Sequence, residues 1–134
     1  MKTLITNIAL LLIAATLFAL LAPIGLLVQC YYSIWHLTLI QDVSKLMRSL
    51  AVAIDQIGNV VCATLFNLTL IERDAEDKFG HEAETISSVL GKNKLANKLT
   101  RLGKALDWIL DKIDPNHSVK WITYIERYKP NAKP

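Results

Sequence analysis

The first third of the chain is apolar and lacks charge. Between Lys2 and Asp42 no residue carries a formal charge when histidine is counted as neutral, and nearly every position from 4 to 28 is apolar. In a helix, about 20 such residues span the ~30 Å hydrocarbon core of a bilayer, where each backbone polar group must bond within its own segment. We therefore predict a transmembrane helix over residues 4–29. The aromatic residues that follow it indicate an interfacial belt, which completes a first region over residues 1–41: Tyr31, Tyr32 and Trp35.

A cleaved signal peptide is the alternative interpretation of this apolar run. A single lysine before an apolar stretch is typical of a signal, but this run is longer than an ordinary signal core and lacks a small-residue cleavage motif. We therefore expect the segment to remain as an anchor. One Lys or Arg precedes the span and two follow closely, Lys45 and Arg48, which favours a cytoplasmic C-terminal part.

A second apolar run covers residues 49–71 and contains one charged residue, Asp55. In a helix, Asp55 shares a face with Asn59, while apolar residues at helical spacing form another face. The run therefore fits either a helix over about 43–70 at the membrane surface or a second span whose carboxylate faces a partner. An ionisable group in lipid costs several kcal/mol unless it is paired, so we favour the surface helix.

The charged half begins with an acidic segment, residues 72–84, which we expect to be a solvated loop. Thr85 to Leu90 then fits a short helix, because threonine is a common helix cap and Gly91 suits the position that ends one. The sequence therefore predicts a loop and a short helix between the second apolar run and the remainder of the chain.

Two amphipathic helices are predicted after Gly91. Apolar residues recur at steps of three or four and predict one helix over about 94–113. Pro115 after Asp114 is typical of the first turn of a last helix, over 115–128. The stripe of the longer helix comprises Leu95, Leu99, Leu102, Leu106, Ile109 and Ile113.

Composition agrees with an anchored helical protein. Of 134 residues, 52% are hydrophobic and 20% are charged, and 15 Lys or Arg against 12 Asp or Glu give a net charge of +3. This apolar content excludes a disordered chain, and Cys30 and Cys62 in apolar surroundings do not make a disulfide framework. We predict an all-α fold: one N-terminal transmembrane helix, a small helical domain over 42–128 packed at the membrane surface, and a flexible tail over 129–134.

Five basic residues cluster in the thirteen positions 92–104, without an acid among them. On a tethered domain they predict contact with anionic lipid headgroups, each worth ~1 kcal/mol near the surface. A solvated face over a packed stripe is the alternative. Nucleic acid is not an expected partner, because no aromatic residue lies among these charges and the net basicity is mild. The cluster comprises Lys92, Lys94, Lys98, Arg101 and Lys104.

Polar residues from three separate segments form a candidate site. Carboxylates with an imidazole suit a divalent metal, which could activate a water for hydrolysis. However, the chain has no recognised metal-binding spacing, so we predict no cofactor and favour a polar network that pins helices together, with a metal or ligand site and an enzyme centre as alternatives. The residues are Asp55, Asn59, Glu84, Thr85, Ser87 and His117.

The order of several short motifs resembles a family of small proteins carried by tailed phages and prophages. The resemblance covers roughly residues 42–120 and implies a phage or prophage context without implying an activity. Ala83 and Ser118 depart from it, because family members often have Asp and Cys there, so a role for that acid or thiol is not expected. The motifs are Asp55-x-x-x-Asn59, Asn67, Phe79-Gly80, Glu84-Thr85-Ile86-Ser87-Ser88, Leu90-Gly91-Lys92, Gly103 and Asp114-Pro115-Asn116-His117.

These features favour a single-pass, membrane-anchored phage or prophage accessory protein that acts through membrane and protein contacts. Its expected partners are the bilayer, with anionic headgroups, and either a second copy of the chain or a phage or host membrane protein. Two alternatives remain: a pore-forming or lysis-related protein with spans at residues 4–29 and 49–71, and a metal-dependent envelope hydrolase that uses Asp55, Glu84 and His117.

Overall fold

The computed structural model describes residues 2–128, with side chains described from 3 to 122. Within that range the secondary structure is helical, and the nearest approach to a sheet is one isolated antiparallel bridge between Ile71 and Leu99. The all-α prediction is confirmed, whereas the tail predicted over 129–134 lies outside the described residues. The helices are α1 Lys2–Trp35, α2 Leu39–Val61, α3 Ala63–Thr69, α4 Ile86–Leu95, α5 Arg101–Ile113 and α6 His117–Tyr128.

The chain divides between Met47 and Arg48 into two compact units. We call them the N-terminal unit and the C-terminal unit. This division falls within α2. The boundary that the sequence predicts after residue 41 stays a prediction.

Helix α1 is long and apolar enough to span a membrane. The stretch Thr3–Trp35 has 33 residues, and its 18-residue apolar window has a mean hydropathy of 2.6 and no buried residue. The helix contains Pro23 and continues past the predicted end at residue 29, through the aromatic residues. Its length of about 50 Å follows from a rise of 1.5 Å per residue and exceeds a ~30 Å hydrocarbon core, so the aromatic end can lie at headgroup level.

Asp42 ties the end of α1 to the first turn of α2. Its Oδ2 accepts hydrogen bonds from the hydroxyls of Ser33, at 2.7 Å, and Thr38, at 2.6 Å. These two bonds hold the pKa of the Asp42 carboxyl below its ordinary value. Leu37, with a φ of 55°, lies in the turn that connects the two helices. A charged residue at this corner is thus satisfied by local hydroxyl groups.

The single helix predicted over 43–70 is wrong, because it breaks at Cys62 into α2 and α3, whose axes differ by 76°. The bend brings the end of α3 to the core of the C-terminal unit, where Leu70 and Ile71 are buried and the ring of Phe66 lies 5.3 Å from that of Phe79. Taken together, α2 and α3 pass the length and hydropathy test for a broken membrane span.

Gly91 does not end a helix as predicted but lies inside α4, which continues to Leu95. A Cβ at position 91 would lie 2.3 Å from the backbone oxygen of Ser118, close to the start of α6. The residue is therefore needed for the close approach of two helices rather than for helix termination. Periodicity within one segment cannot reveal such a contact.

The helix predicted over 94–113 is also wrong as one element. Asn97 adopts a left-handed conformation, with a φ of 55°, and Thr100 caps a new helix, α5, through a 3.2 Å bond from Gly103 N to Thr100 Oγ1. Leu99 leaves the helical register to pair with Ile71 and joins the core. The apolar stripe is therefore divided: Leu99 and Leu106 pack inward, while Leu95, Leu102, Ile109 and Ile113 are exposed.

The last helix begins at His117, two residues later than predicted. Asp114 closes α5 in an extended conformation instead of starting α6, and Asn116 makes the turn with a φ of 59°. Within the described side chains, the core of the C-terminal unit contains seven buried hydrophobic residues: Leu70, Ile71, Ala75, Phe79, Val89, Leu90 and Leu99.

Candidate functional site

Asn59 is the central polar residue of the site predicted from the sequence. It lies on α2 with 0% of its surface exposed. Its Nδ2 donates to the backbone oxygens of His81, at 2.8 Å, and Glu84, at 3.0 Å, and its Oδ1 accepts from Gly80 N at 3.2 Å. All three partners are backbone groups of the acidic segment. The buried amide therefore shapes the chain before α4, and both of its N–H donors are used by backbone oxygens.

Two further amides hold the same segment. Asn67 exchanges two bonds with the backbone of Phe79, at 2.8 and 3.0 Å, as a neighbouring strand would. Asn93 Nδ2 donates to Asp77 O at 2.8 Å. Residues 72–84 form the predicted loop, and most of them are exposed, but these bonds and the burial of Ala75 and Phe79 fix the loop to the C-terminal unit.

The start of α4 is closed by a capping box, as the cap predicted at Thr85 requires. Thr85 Oγ1 accepts from Ser88 N at 3.0 Å, and Thr85 N donates to Ser88 Oγ at 3.1 Å. Asp55 Oδ2 on α2 accepts from Ser87 N at 3.4 Å. These bonds satisfy backbone groups that a helix start leaves without partners, so the role of Asp55 and Thr85 here is structural.

Burial raises the pKa of Asp55 above its ordinary value, because a low-dielectric environment disfavours the charged carboxylate. Hydrogen bonds from Ser87 and the nearby charge of His117 act in the opposite direction but do not compensate for burial. This carboxyl is the ionisable group of the site whose protonation the fold favours.

Glu84 forms a different pair. It is 5% exposed, and its carboxylate bonds to the ammonium of Lys92, which also lies 3.5 Å from Asp77 Oδ1. Burial works to lower the pKa of Lys92, but the hydrogen bond and charge of Glu84, with the charge of Asp77, outweigh it and raise that pKa. The charge of the buried carboxylate is therefore compensated within the protein.

His117 does not join Glu84. Its Nδ1 lies 3.2 Å from Asp114 Oδ2, and its ring packs 5.9 Å from that of Trp121. Among the described residues, no group of three or more His, Cys, Asp or Glu side chains is placed to hold a metal. The ligand set that the hydrolase alternative needs, Asp55 with Glu84 and His117, is thus not assembled.

Three of the five predicted headgroup residues are engaged in ion pairs. Besides Lys92, Lys94 Nζ lies 2.8 Å from Asp107 and 2.7 Å from Asp111, and Lys98 Nζ lies 2.6 Å from Asp74. Arg101 and Lys104 are exposed.

Sequence reasoning missed these ion pairs because the acids lie on other elements. The amide roles of Asn67 and Asn93 were missed for the same reason: their partners are backbone groups of the folded loop, which leave no pattern in the sequence.

A cavity of about 380 Å³ opens beside the Glu84–Lys92 pair and is lined by residues 76–81. Opposite charges face each other in its wall, so it presents a compensated polar surface rather than a site for one sign of ligand. Comparison with known proteins finds no family model, no curated protein and no solved structure that matches this chain.

Proposed function

We propose that this protein is a membrane-anchored accessory protein of a phage or prophage that acts through contacts with the membrane and with other proteins, without catalysis. The observation that carries the proposal is the surface of α1, whose large apolar side chains are exposed along its length. Such a surface is unfavourable in water by roughly 25 cal/mol per Å², and a bilayer removes that cost.

The polar groups of the C-terminal unit support a binding role rather than a chemical one. The amide of Asn59 and the carboxylate of Glu84 are occupied by backbone and side-chain partners. A residue that acts on a substrate needs an unoccupied donor, acceptor or nucleophile within reach of it. The phage context depends on the resemblance of the motifs, and the cytoplasmic placement of this unit depends on the charges of Lys45 and Arg48.

Alkaline extraction tests the anchor. Membranes from cells that express the full chain are washed at high salt and then at alkaline pH, and the protein is followed in pellet and supernatant. We expect it to remain in the pellet, because an apolar helix that spans the bilayer is not released by charge screening. Release into the supernatant contradicts the proposal, and a mass that shows cleavage near residue 30 identifies a signal peptide instead.

A pore-forming or lysis-related protein is a second candidate, because α2 and α3 together pass the test for a broken span. Packing weighs against it: Asn59 and Asn67 bind backbone groups of the C-terminal unit, and both would lose these partners if residues 49–71 entered lipid. Dye uptake during expression distinguishes the two candidates. Cells that stay impermeable contradict pore formation, whereas permeable cells favour it.

A further inference from the structure

Helix α5 packs on the C-terminal unit through one side and leaves the other side exposed. Gly103 and Asp107 are buried, and Leu106 and Leu110 pack against the core. The opposite side carries large apolar residues that the fold does not cover. Their exposed fractions are 61% for Leu102, 61% for Trp108, 50% for Ile109 and 79% for Ile113.

The acids of α5 lie towards the C-terminal unit, and its cations lie on the exposed side. Its acids, Asp107 and Asp111, accept bonds from Lys94. Its cations are exposed, and the ammonium of Lys112 lies 5.4 Å from the ring centre of Trp108. Within α5, all of whose side chains are described, the exposed side therefore combines cations with apolar groups. We call this side the α5 face: Arg101, Leu102, Lys104, Trp108, Ile109, Lys112 and Ile113.

We propose that the α5 face lies in the headgroup region of an anionic membrane. Helices that bind at the interface place Leu, Ile and Trp among the upper acyl carbons, while Lys and Arg reach anionic headgroups. Each cation adds to this attraction, which salt weakens. The inference rests on the proposed function, since the α1 anchor keeps the C-terminal unit near a bilayer.

Charge complementarity favours lipid over a second copy of the chain. Two α5 faces in contact would place the cations of one copy, Arg101 and Lys104 among them, near those of the other, which is repulsive. The proposal keeps Arg101 and Lys104 of the predicted cluster and adds Lys112. It leaves out Lys92, Lys94 and Lys98, because acids compensate their charges.

Fluorescence of the reconstituted full chain tests the proposal. The protein is placed in vesicles of phosphatidylcholine alone or mixed with phosphatidylglycerol, and the Trp108 signal is the difference between wild type and Trp108→Phe. We expect Trp108 to be quenched by brominated lipids and shielded from aqueous iodide in the anionic vesicles. The shielding should weaken severalfold without phosphatidylglycerol or at high salt.

A matched pair of variants assigns the effect to the α5 face. Lys104→Gln removes one of its cations and should reduce the shielding of Trp108. Lys120→Gln removes an exposed cation of α6 that pairs with Asp114 and is not part of the α5 face, and it should leave the shielding unchanged. Equal effects of the two variants would mean that net charge, not this face, controls the signal, which overturns the proposal.

Two other results overturn it: a Trp108 that stays accessible to iodide in both lipid compositions, and shielding that follows protein density instead of lipid charge, which indicates a second copy. Flotation of the same vesicles after an alkaline wash tests the anchor separately. If the protein leaves the vesicles, the proposed function fails. If the protein floats with the vesicles while Trp108 remains accessible to iodide, only the inference about α5 fails.

Discussion

In α1 nearly every apolar side chain remains exposed, whereas the C-terminal unit buries a small apolar core among polar side chains. Seven hydrophobic residues are buried in that unit within the described range, together with eight polar or charged ones. The apolar window of α1 has no buried residue, whereas the buried Asn59, Ser88 and Asn93 of the C-terminal unit bond to backbone groups. The contrast indicates that the two regions depend on different forces. For α1 the main force is the transfer of apolar side chains out of water, and for the C-terminal unit it is hydrogen bonding among buried polar groups.

This difference predicts which substitutions each region tolerates. A helix that contacts only lipid accepts changes of shape but not charge. A domain with a small core and buried amides accepts little change at those amides, because a buried donor or acceptor without a partner costs about 1–3 kcal/mol. The following predictions test that comparison.

The largest expected effect is loss of membrane retention when Leu12→Arg and Leu17→Arg are combined in α1. Two arginines near the middle of a span oppose insertion by about 6 kcal/mol on the translocon scale. The retained fraction after alkaline washing measures this. Leu65→Arg with Leu68→Arg is the matched control, since both leucines are exposed on α3, and retention should be unchanged. Loss in the control would mean that residues 49–71 also cross the membrane.

Asn59→Asp should destabilise the C-terminal unit by about 4 kcal/mol, because a charged acceptor would face two buried carbonyl oxygens that have lost their donor. Chemical unfolding followed by near-ultraviolet circular dichroism measures the change. Gln56→Glu makes the same chemical exchange at a residue with one 3.3 Å bond, to Ala83 O, and should cost less than about 1 kcal/mol. Equal costs would contradict the central role given to Asn59.

Gly91→Ala should cost about 3 kcal/mol despite the higher helix propensity of alanine, because its Cβ meets Ser118 O and forces α4 and α6 apart. Gly25→Ala in α1 is the counterpart, since a Cβ there has nothing within 4 Å. Thermal unfolding in detergent micelles compares the two. If Gly91→Ala is as stable as wild type, the close packing of α4 on Ser118 is wrong.

The smallest effect concerns Asp55 and is seen in its pH dependence. Burial raises its folded pKa above the ordinary 3.8, so its contribution to stability is complete below that value and is lost as pH rises through the folded pKa. The free energy of unfolding of Asp55→Asn should therefore increase relative to that of the wild type as the pH rises from acid towards neutrality. Unfolding free energies of both proteins across this range measure the difference.

Asp114→Asn is the control of opposite sign. Hydrogen bonds from Lys120 and His117 lower the pKa of Asp114, so its contribution is present above the ordinary value and is lost as pH falls through the folded pKa. The free energy of unfolding of this variant should decrease relative to that of the wild type as the pH rises. If the stability difference from the wild type changes with pH in the same direction for both variants, burial is not the cause of the raised pKa of Asp55.

The features that sequence predicted correctly are local ones. A long apolar run is sufficient to identify α1, and Thr85 with the residues after it is sufficient to place a helix cap. The break after Leu95 was missed because apolar spacing continues through Asn97, while the chain turns there so that Leu99 can reach Ile71.

The sequence identified residues of the candidate site but not which of them contact each other. Asp55 and Asn59 share a face of α2, as their spacing requires, and both reach the segment around α4. The pairing of Glu84 with Lys92, rather than with His117, depends on how the loop folds back on the helix. Such pairing is set by tertiary structure, which one sequence does not encode as a local pattern.

The contact of Gly91 with Ser118 also sets an order of events during synthesis. A ribosome adds residues from the amino end, so α4 cannot reach its final packing until the nascent chain includes position 118, near the start of α6. Helix α1 needs only its own residues to become helical and apolar. If α1 is the anchor proposed above, it is available to the insertion machinery while the domain is still being translated, and the domain folds on a chain that the bilayer already holds.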